Sequence, residues 1–321
     1  MEEKQIRKYL RRCFRPISWS LVGYYLIMNI LVILTMAVDS AALALNALSK
    51  GRPILPMDKM AEAVSGNAWG YLAAIAVALT VLLAWKGWDF FRYEIFFKRR
   101  KMGFVTFAAI VCIFLGCQVF ASLYPSVLEV LLNCMGLSAL TALEAATITS
   151  NTFSMFLYAS IAAPIVEEIL FRGFVQRSLL PFGQKFAIFG SALLFGVFHG
   201  NLIQTPYAFL VGLVLGYVAT EYSIWWAIVL HMINNMVLAD LLPRLLSYLP
   251  GMAGDVVMGC ITWAFAIAGL VIIIVKRREV KGYIRGECMD RRCHRGFFLN
   301  SGFLVLMLLM IVNMLMMVTP L

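Results

Sequence analysis

Two adjacent carboxylates, a guanidinium, two imidazoles and two amides lie on three strongly apolar segments of this chain. The segments read Glu167-Glu168-Ile169-Leu170-Phe171-Arg172, Phe195-Gly196-Val197-Phe198-His199 and His231-Met232-Ile233-Asn234-Asn235. A charged group near a bilayer centre costs roughly 2.5–3.5 kcal/mol on insertion scales, so such groups usually line a pathway or a reaction site. A carboxylate and an imidazole converging on one water make a general base. A second imidazole with an amide can donate hydrogen bonds to the oxyanion of a tetrahedral intermediate. Alternatively, Glu167, His199 and His231 can hold a divalent, zinc-like metal that activates the water. No HExxH lies on a single helix, so the ordinary zinc-protease spacing is absent.

Residues four apart share a helix face. That spacing pairs Glu168 with Arg172, Phe195 with His199 and His231 with Asn235. Glu167 projects about 100° away from Glu168. The two carboxylates therefore divide the work, with Glu167 reactive and Glu168–Arg172 a structural clamp. Asn234 lies off the His231–Asn235 face and is the weaker candidate. Each group also has a plainer reading, because a lone His on an apolar helix is commonly just packed. Intramembrane polar groups line transport and proton pathways as well. On the residues alone, hydrolase and transporter stand level.

Positioning these groups requires membrane-spanning helices. Of the 321 residues, 62% are hydrophobic and 14% charged, with a mean hydropathy of +0.86. A soluble domain carries about 25% charged residues. Spanning helices need apolar runs of about 17–25 residues, and no β-barrel alternation occurs. The expectation is an all-α, polytopic integral membrane bundle of about nine (eight to nine) transmembrane helices. The runs fall at 17–38, 69–85, 103–123, 152–171, 186–202, 207–218, 225–242, 256–275 and 297–318. Residues 127–143 suit a short helix lying along the membrane. N-terminal spans and loops (1–145) precede a core carrying the three motifs (146–250). C-terminal spans joined by a basic linker follow (251–321).

The net charge of +10 is distributed in clusters between apolar runs. Loops on the N-terminal side of the membrane carry 23 Lys or Arg, against 4 on the other side. The positive-inside rule then puts the N-terminus in the cytosol, most simply of a bacterium, with the bilayer as partner and no nucleic acid. The first apolar run exceeds the roughly 7–15-residue core of a cleaved signal, so it reads as a span. The linker at 276–296 fixes orientation and touches anionic lipid. Cys288, Cys293 and His294 match no standard zinc spacing, and the seven cysteines suggest no disulfide framework. Glu167 falls about one turn from the cytosolic end of its run, whereas His199 lies roughly 20 Å along its own. The depths agree if residues 181–189 lie along the interface and the span starts near Gly190.

The ordered pattern EExxxR, FxxxH and HxxxN on apolar helices resembles the CPBP family. That family includes type II CAAX prenyl endopeptidases and bacteriocin-processing, immunity-associated (Abi-like) membrane proteins. The resemblance covers roughly residues 150–245 and implies an intramembrane endopeptidase opening toward the cytosol, with a peptide or protein substrate. By position, Glu167 and His199 would activate water, while His231 and Asn235 would stabilise the oxyanion. Glu168, Arg172 and Phe195 would support them. Family members are commonly called metalloproteases, although a glutamate-dependent mechanism has also been argued. A non-catalytic immunity or interaction protein of the same family is the alternative, and a transporter comes third.

Overall fold

The computed structural model describes residues 3–90, 92, 98–147, 152–285 and 291–321. Parts of the basic stretches at 86–101 and 276–296 lie outside the described residues, Cys288 among them. The fold is an all-α helical bundle. In chain order it comprises α1 (Glu3–Ser49), α2 (Met57–Ser65), α3 (Trp69–Lys86), α4 (Phe104–Gly116), α5 (Gln118–Asn133) and α6 (Leu140–Ala146). There follow α7 (Phe153–Phe182), α8 (Gln184–Phe198), α9 (Gln204–Glu221), α10 (Ile224–Leu246) and α11 (Ala253–Val275). Last come α12 (Arg277–Arg285), α13 (Arg291–Phe298) and α14 (Ser301–Met316). One short antiparallel pairing joins Leu137–Ser138 (β1) to Thr319–Pro320 (β2).

Among the described residues, six helices are long and apolar enough to cross a membrane, or seven if α13 and α14, bent by 53°, make one span. Each of the nine expected runs is helical, but the count of nine is not reached. Helix α8 has only 15 residues, about 22 Å at 1.5 Å per residue, against a hydrocarbon core of about 30 Å. The expected in-plane helix at 127–143 is instead divided. Helix α5 runs on to Asn133, a turn with Gly136 at φ +74° reverses the chain, and β1 precedes α6.

Helix α7 is the centre of the bundle, with Leu170, Phe171, Phe174, Val175 and Leu179 all but fully buried. The outer helices instead expose large apolar side chains such as Val105, Val256 and Val275. That pattern suits lipid, since a water-soluble surface rarely shows contiguous apolar patches of that extent. Close approach of α8 and α9 depends on small residues. A Cβ on Gly196 would meet the Thr205 carbonyl at 2.7 Å, and one on Gly212 would meet Ala192 at 3.2 Å. Small residues let helix backbones approach where no aqueous hydrophobic effect drives them together.

Helix α7 also corrects the expected depth of the site. The α7–α8 turn falls at Gly183, so residues 181–189 do not form an interfacial segment. Glu167 precedes Phe182 by fifteen residues, and His199 follows Gln184 by fifteen. Both therefore lie about 22 Å of helix from the same turn. The charged Arg172 suggests the end of a span, yet it is 1% exposed and the helix continues ten residues beyond it.

Candidate active site

Glu167, His199, His231 and Asn235 line one cavity of about 510 Å³. Its size falls within the roughly 300–1,000 Å³ typical of ligand pockets. The two adjacent carboxylates have opposite surroundings. The Glu167 side chain is 32% exposed, while that of Glu168 is 0% exposed. Glu168 Oε1 lies 3.1 Å from Arg172 Nη1 and 2.9 Å from His231 Nδ1. It thus ties α7 to α10. Arg172 Nη2 donates to the Gly212 carbonyl at 3.2 Å, and one turn on Gln176 Nε2 donates to the Gly216 carbonyl at 2.8 Å. The four-residue spacing of Arg172 and Gln176 thus matches that of two glycines on α9, whose carbonyls no side chain covers.

His231 turns its other ring nitrogen toward the cavity, with Nε2 3.8 Å from Glu167 Oε2. His199 Nδ1 lies 2.9 Å from the Phe195 carbonyl oxygen. A carbonyl only accepts, so Nδ1 carries the proton and Nε2 of the neutral ring keeps its lone pair. Phe195 is the hub of the cluster. Its ring centroid lies 4.9 Å from that of His199, 5.6 Å from that of His231 and 4.3 Å from the Arg172 guanidinium carbon. The last is a cation–π contact in a desolvated setting, where such contacts are strongest.

Asn234 is in the cluster after all. Its Oδ1 accepts from Gln118 Nε2 at 2.8 Å and from the Tyr207 hydroxyl at 2.7 Å, and its Nδ2 donates to Asn235 Oδ1 at 3.0 Å. Asn235 Nδ2 donates to the Ala159 carbonyl at 3.0 Å. These contacts fix which end of the Asn235 amide is the donor, and its second N–H remains for the cavity. α-Helical spacing turns Asn234 away, but residues Ile233–Leu241 form a wider π-helical stretch that brings both amides to one wall. π-Helical stretches also flank Glu167–Glu168, at Leu157–Ala162 and Ile169–Gln176. Such turns recur at functional sites.

His199 is held differently, at the end of α8. Gly200 follows at φ +57°, a left-handed conformation that glycine adopts without steric cost, and a Cβ there would crowd Asn313 of α14. Asn201 then donates from Nδ2 to the Ala142 carbonyl, and its Oδ1 accepts from the Ile203 and Gln204 amides. Asn201 thereby starts α9 and fastens the turn to α6. Asn201, Gln118, Tyr207 and Gln176 are the residues that the motif spacing does not reveal. Among the described residues, no three His, Cys, Asp or Glu side chains are grouped closely enough to hold a metal ion. The Glu167, His199 and His231 set in this arrangement does not fit one.

These features define a polytopic helical membrane protein with a Glu–His–Asn cluster in a cavity between its spans. Residues 149–237 match the family model described as Rce1-like, type II CAAX prenyl endopeptidase Rce1-like, consistent with the CPBP family. The match contains all three motifs and leaves the flanking spans outside it. No curated protein and no solved structure matches the chain.

Proposed function

We propose that this protein is an intramembrane endopeptidase of the CAAX type, in which Glu167 and His199 activate a water and His231 and Asn235 bind the oxyanion. The observation that carries this reading is the meeting of all four side chains in one cavity, within the segment that matches the family. Glu167 is the cavity's free carboxylate, unburdened by the Arg172 clamp. His199 offers Nε2 as a second proton acceptor. When the water attacks the scissile carbonyl, its proton passes to this pair and then to the departing amine. The free N–H of Asn235 and the Nε2 side of His231 face the developing negative charge, His231 donating when that nitrogen carries a proton. Fixed donors of this kind are worth more in a water-poor site than in bulk solvent.

The clustering of basic residues between the apolar runs supports a cytosolic N-terminus by the positive-inside rule, most simply in a bacterial plasma membrane. The deciding experiment compares peptide termini in membranes from cells carrying the natural protein or Glu167→Gln at matched levels. Termini that vanish with Glu167→Gln establish proteolysis. Identical termini from two folded proteins overturn it and favour a non-catalytic interaction protein.

A further inference from the structure

We infer that Asn313 is a positioning residue for His199, holding it through the Gly200 turn and through Tyr25 of α1. The inference rests on the endopeptidase reading, in which His199 accepts a proton. It gives α14 a part in the reaction, although α14 lies outside the matched segment at 149–237. The sequence of that helix is the first observation. Between Gly302 and Met317 it is apolar throughout except for Asn313. An amide among membrane helices costs free energy unless it is hydrogen-bonded, and asparagine in such a setting commonly bonds across to a neighbouring helix. Asn313 does so. Its Nδ2 donates to the Tyr25 hydroxyl at 2.6 Å.

That bond falls at the level of His199. A Cβ on Gly200 would stand 3.1 Å from Asn313 Nδ2 and 3.3 Å from Asn313 Cβ. The Asn313 side chain thus occupies the space that a side chain at position 200 would need. Gly200 backs directly onto α14, with Met310, itself fully buried, beside it. On the other side of His199, the Phe198 ring stands edge-on to Tyr25, with centroids 6.0 Å apart at 84°. Asn313 and its acceptor therefore grip the residues before and after His199. One turn further along, Met317 packs with Ala142 and Ile203, whose backbone groups hold Asn201. The His199 ring bonds to its own helix, at the Phe195 carbonyl. Where the ring sits relative to Glu167 is thus set by what holds the end of α8. Tyr25 and Phe198 also border, with Glu167, a second cavity of about 300 Å³. The Asn313–Tyr25 bond accordingly ties the His199 turn to the wall beside the carboxylate that His199 works with.

The chain has three histidines, so the reactivity of His199 can be followed by itself. The purified chain is treated with diethyl pyrocarbonate, and carbethoxylation at His199, His231 and His294 is read by mass spectrometry. Asn313→Ala should raise the rate at His199 several-fold relative to that at His294, because the turn is loosened. An unchanged His199 rate in folded Asn313→Ala overturns the inference. Tyr25→Phe removes the acceptor but keeps the ring against Phe198. It should give a smaller rise in the same direction, and it takes the place of Asn313→Ala if that variant does not fold. On a peptide spanning a cleavage site that depends on Glu167, Asn313→Ala should lower kcat about tenfold with KM held, less than the roughly 10²-fold that a 1 Å displacement can cost. In a His199→Ala background it should add almost nothing, since no imidazole remains to position. The same loss in that background would make Asn313 a structural residue only and overturn the inference. Cleavage that persists in Glu167→Gln removes the endopeptidase reading, while the carbethoxylation rate still decides whether Asn313 positions the His199 ring.

Discussion

Glu167 and Glu168 are neighbours in sequence and opposites in environment. Glu168 is enclosed, holding Arg172 and His231 at once, whereas Glu167 has His231 Nε2 at 3.8 Å and borders two cavities, one of them shared with Tyr24 and Tyr158. On the proposed mechanism the difference separates support from reactivity. A carboxylate that must accept a proton needs a lone pair open to water, while one that must hold two helices together needs its lone pairs engaged. The enclosed side is itself incompletely satisfied. Glu168 Oε2 and Arg172 Nε lack hydrogen-bond partners among the described residues. Its rigidity thus comes from the ion pair, the Phe195 face and the α9 carbonyls together.

The largest expected effects test that separation. Glu167→Gln should lower kcat by about 10²–10⁴, the usual contribution of a positioned acid–base group, with no change in membrane level or thermal unfolding. His199→Ala should do the same, since the Gly200–Asn201 turn that holds it does not depend on the ring. Glu168→Gln should act in the opposite sense, on folding first. Breaking a buried pair costs about 3–5 kcal/mol because it strands the remaining charge. The folded fraction should drop, and the specific activity of what remains should fall less than in Glu167→Gln. If Glu168→Gln were stable and dead while Glu167→Gln stayed active, the roles of the two carboxylates would be reversed. Asn235→Ala should come next, at about 10²–10³ in kcat, the usual loss for one oxyanion donor.

How much of this can be read from the sequence depends on how local each cause is. The clamp between Glu168 and Arg172 is legible because four-residue spacing holds across the junction of the α-helical and π-helical stretches. The helical class is legible because hydropathy alone requires it. The depth of Glu167 is not legible, because Arg172 and Gln176 look like the solvated end of a span. They are instead buried and bonded to Gly212 and Gly216, forty residues on in the chain. Asn234 is misjudged for a local reason, since a π-helical turn changes which residues share a face. Gln118 and Tyr207 carry no signal of their own. Only the packing of α5 and α9 against α10 brings them to Asn234.

Asn234 therefore supplies the finest test of the division between support and reactivity. It touches the Asn235 amide, the proposed oxyanion donor, but is held by Gln118 and Tyr207 behind it. If it acts by orienting that amide, Asn234→Ala frees Asn235 to rotate its oxygen into the cavity, where an acceptor faces the oxyanion. The expected result is a fall in kcat of about tenfold with KM held, smaller than for Asn235→Ala because the rotated amide still spends part of its time correctly placed. In an Asn235→Ala background, Asn234→Ala should then add almost nothing, since no amide remains to orient. Full additivity of the two changes would mean that Asn234 acts on the cavity by a separate route, since independent sites add and coupled ones do not.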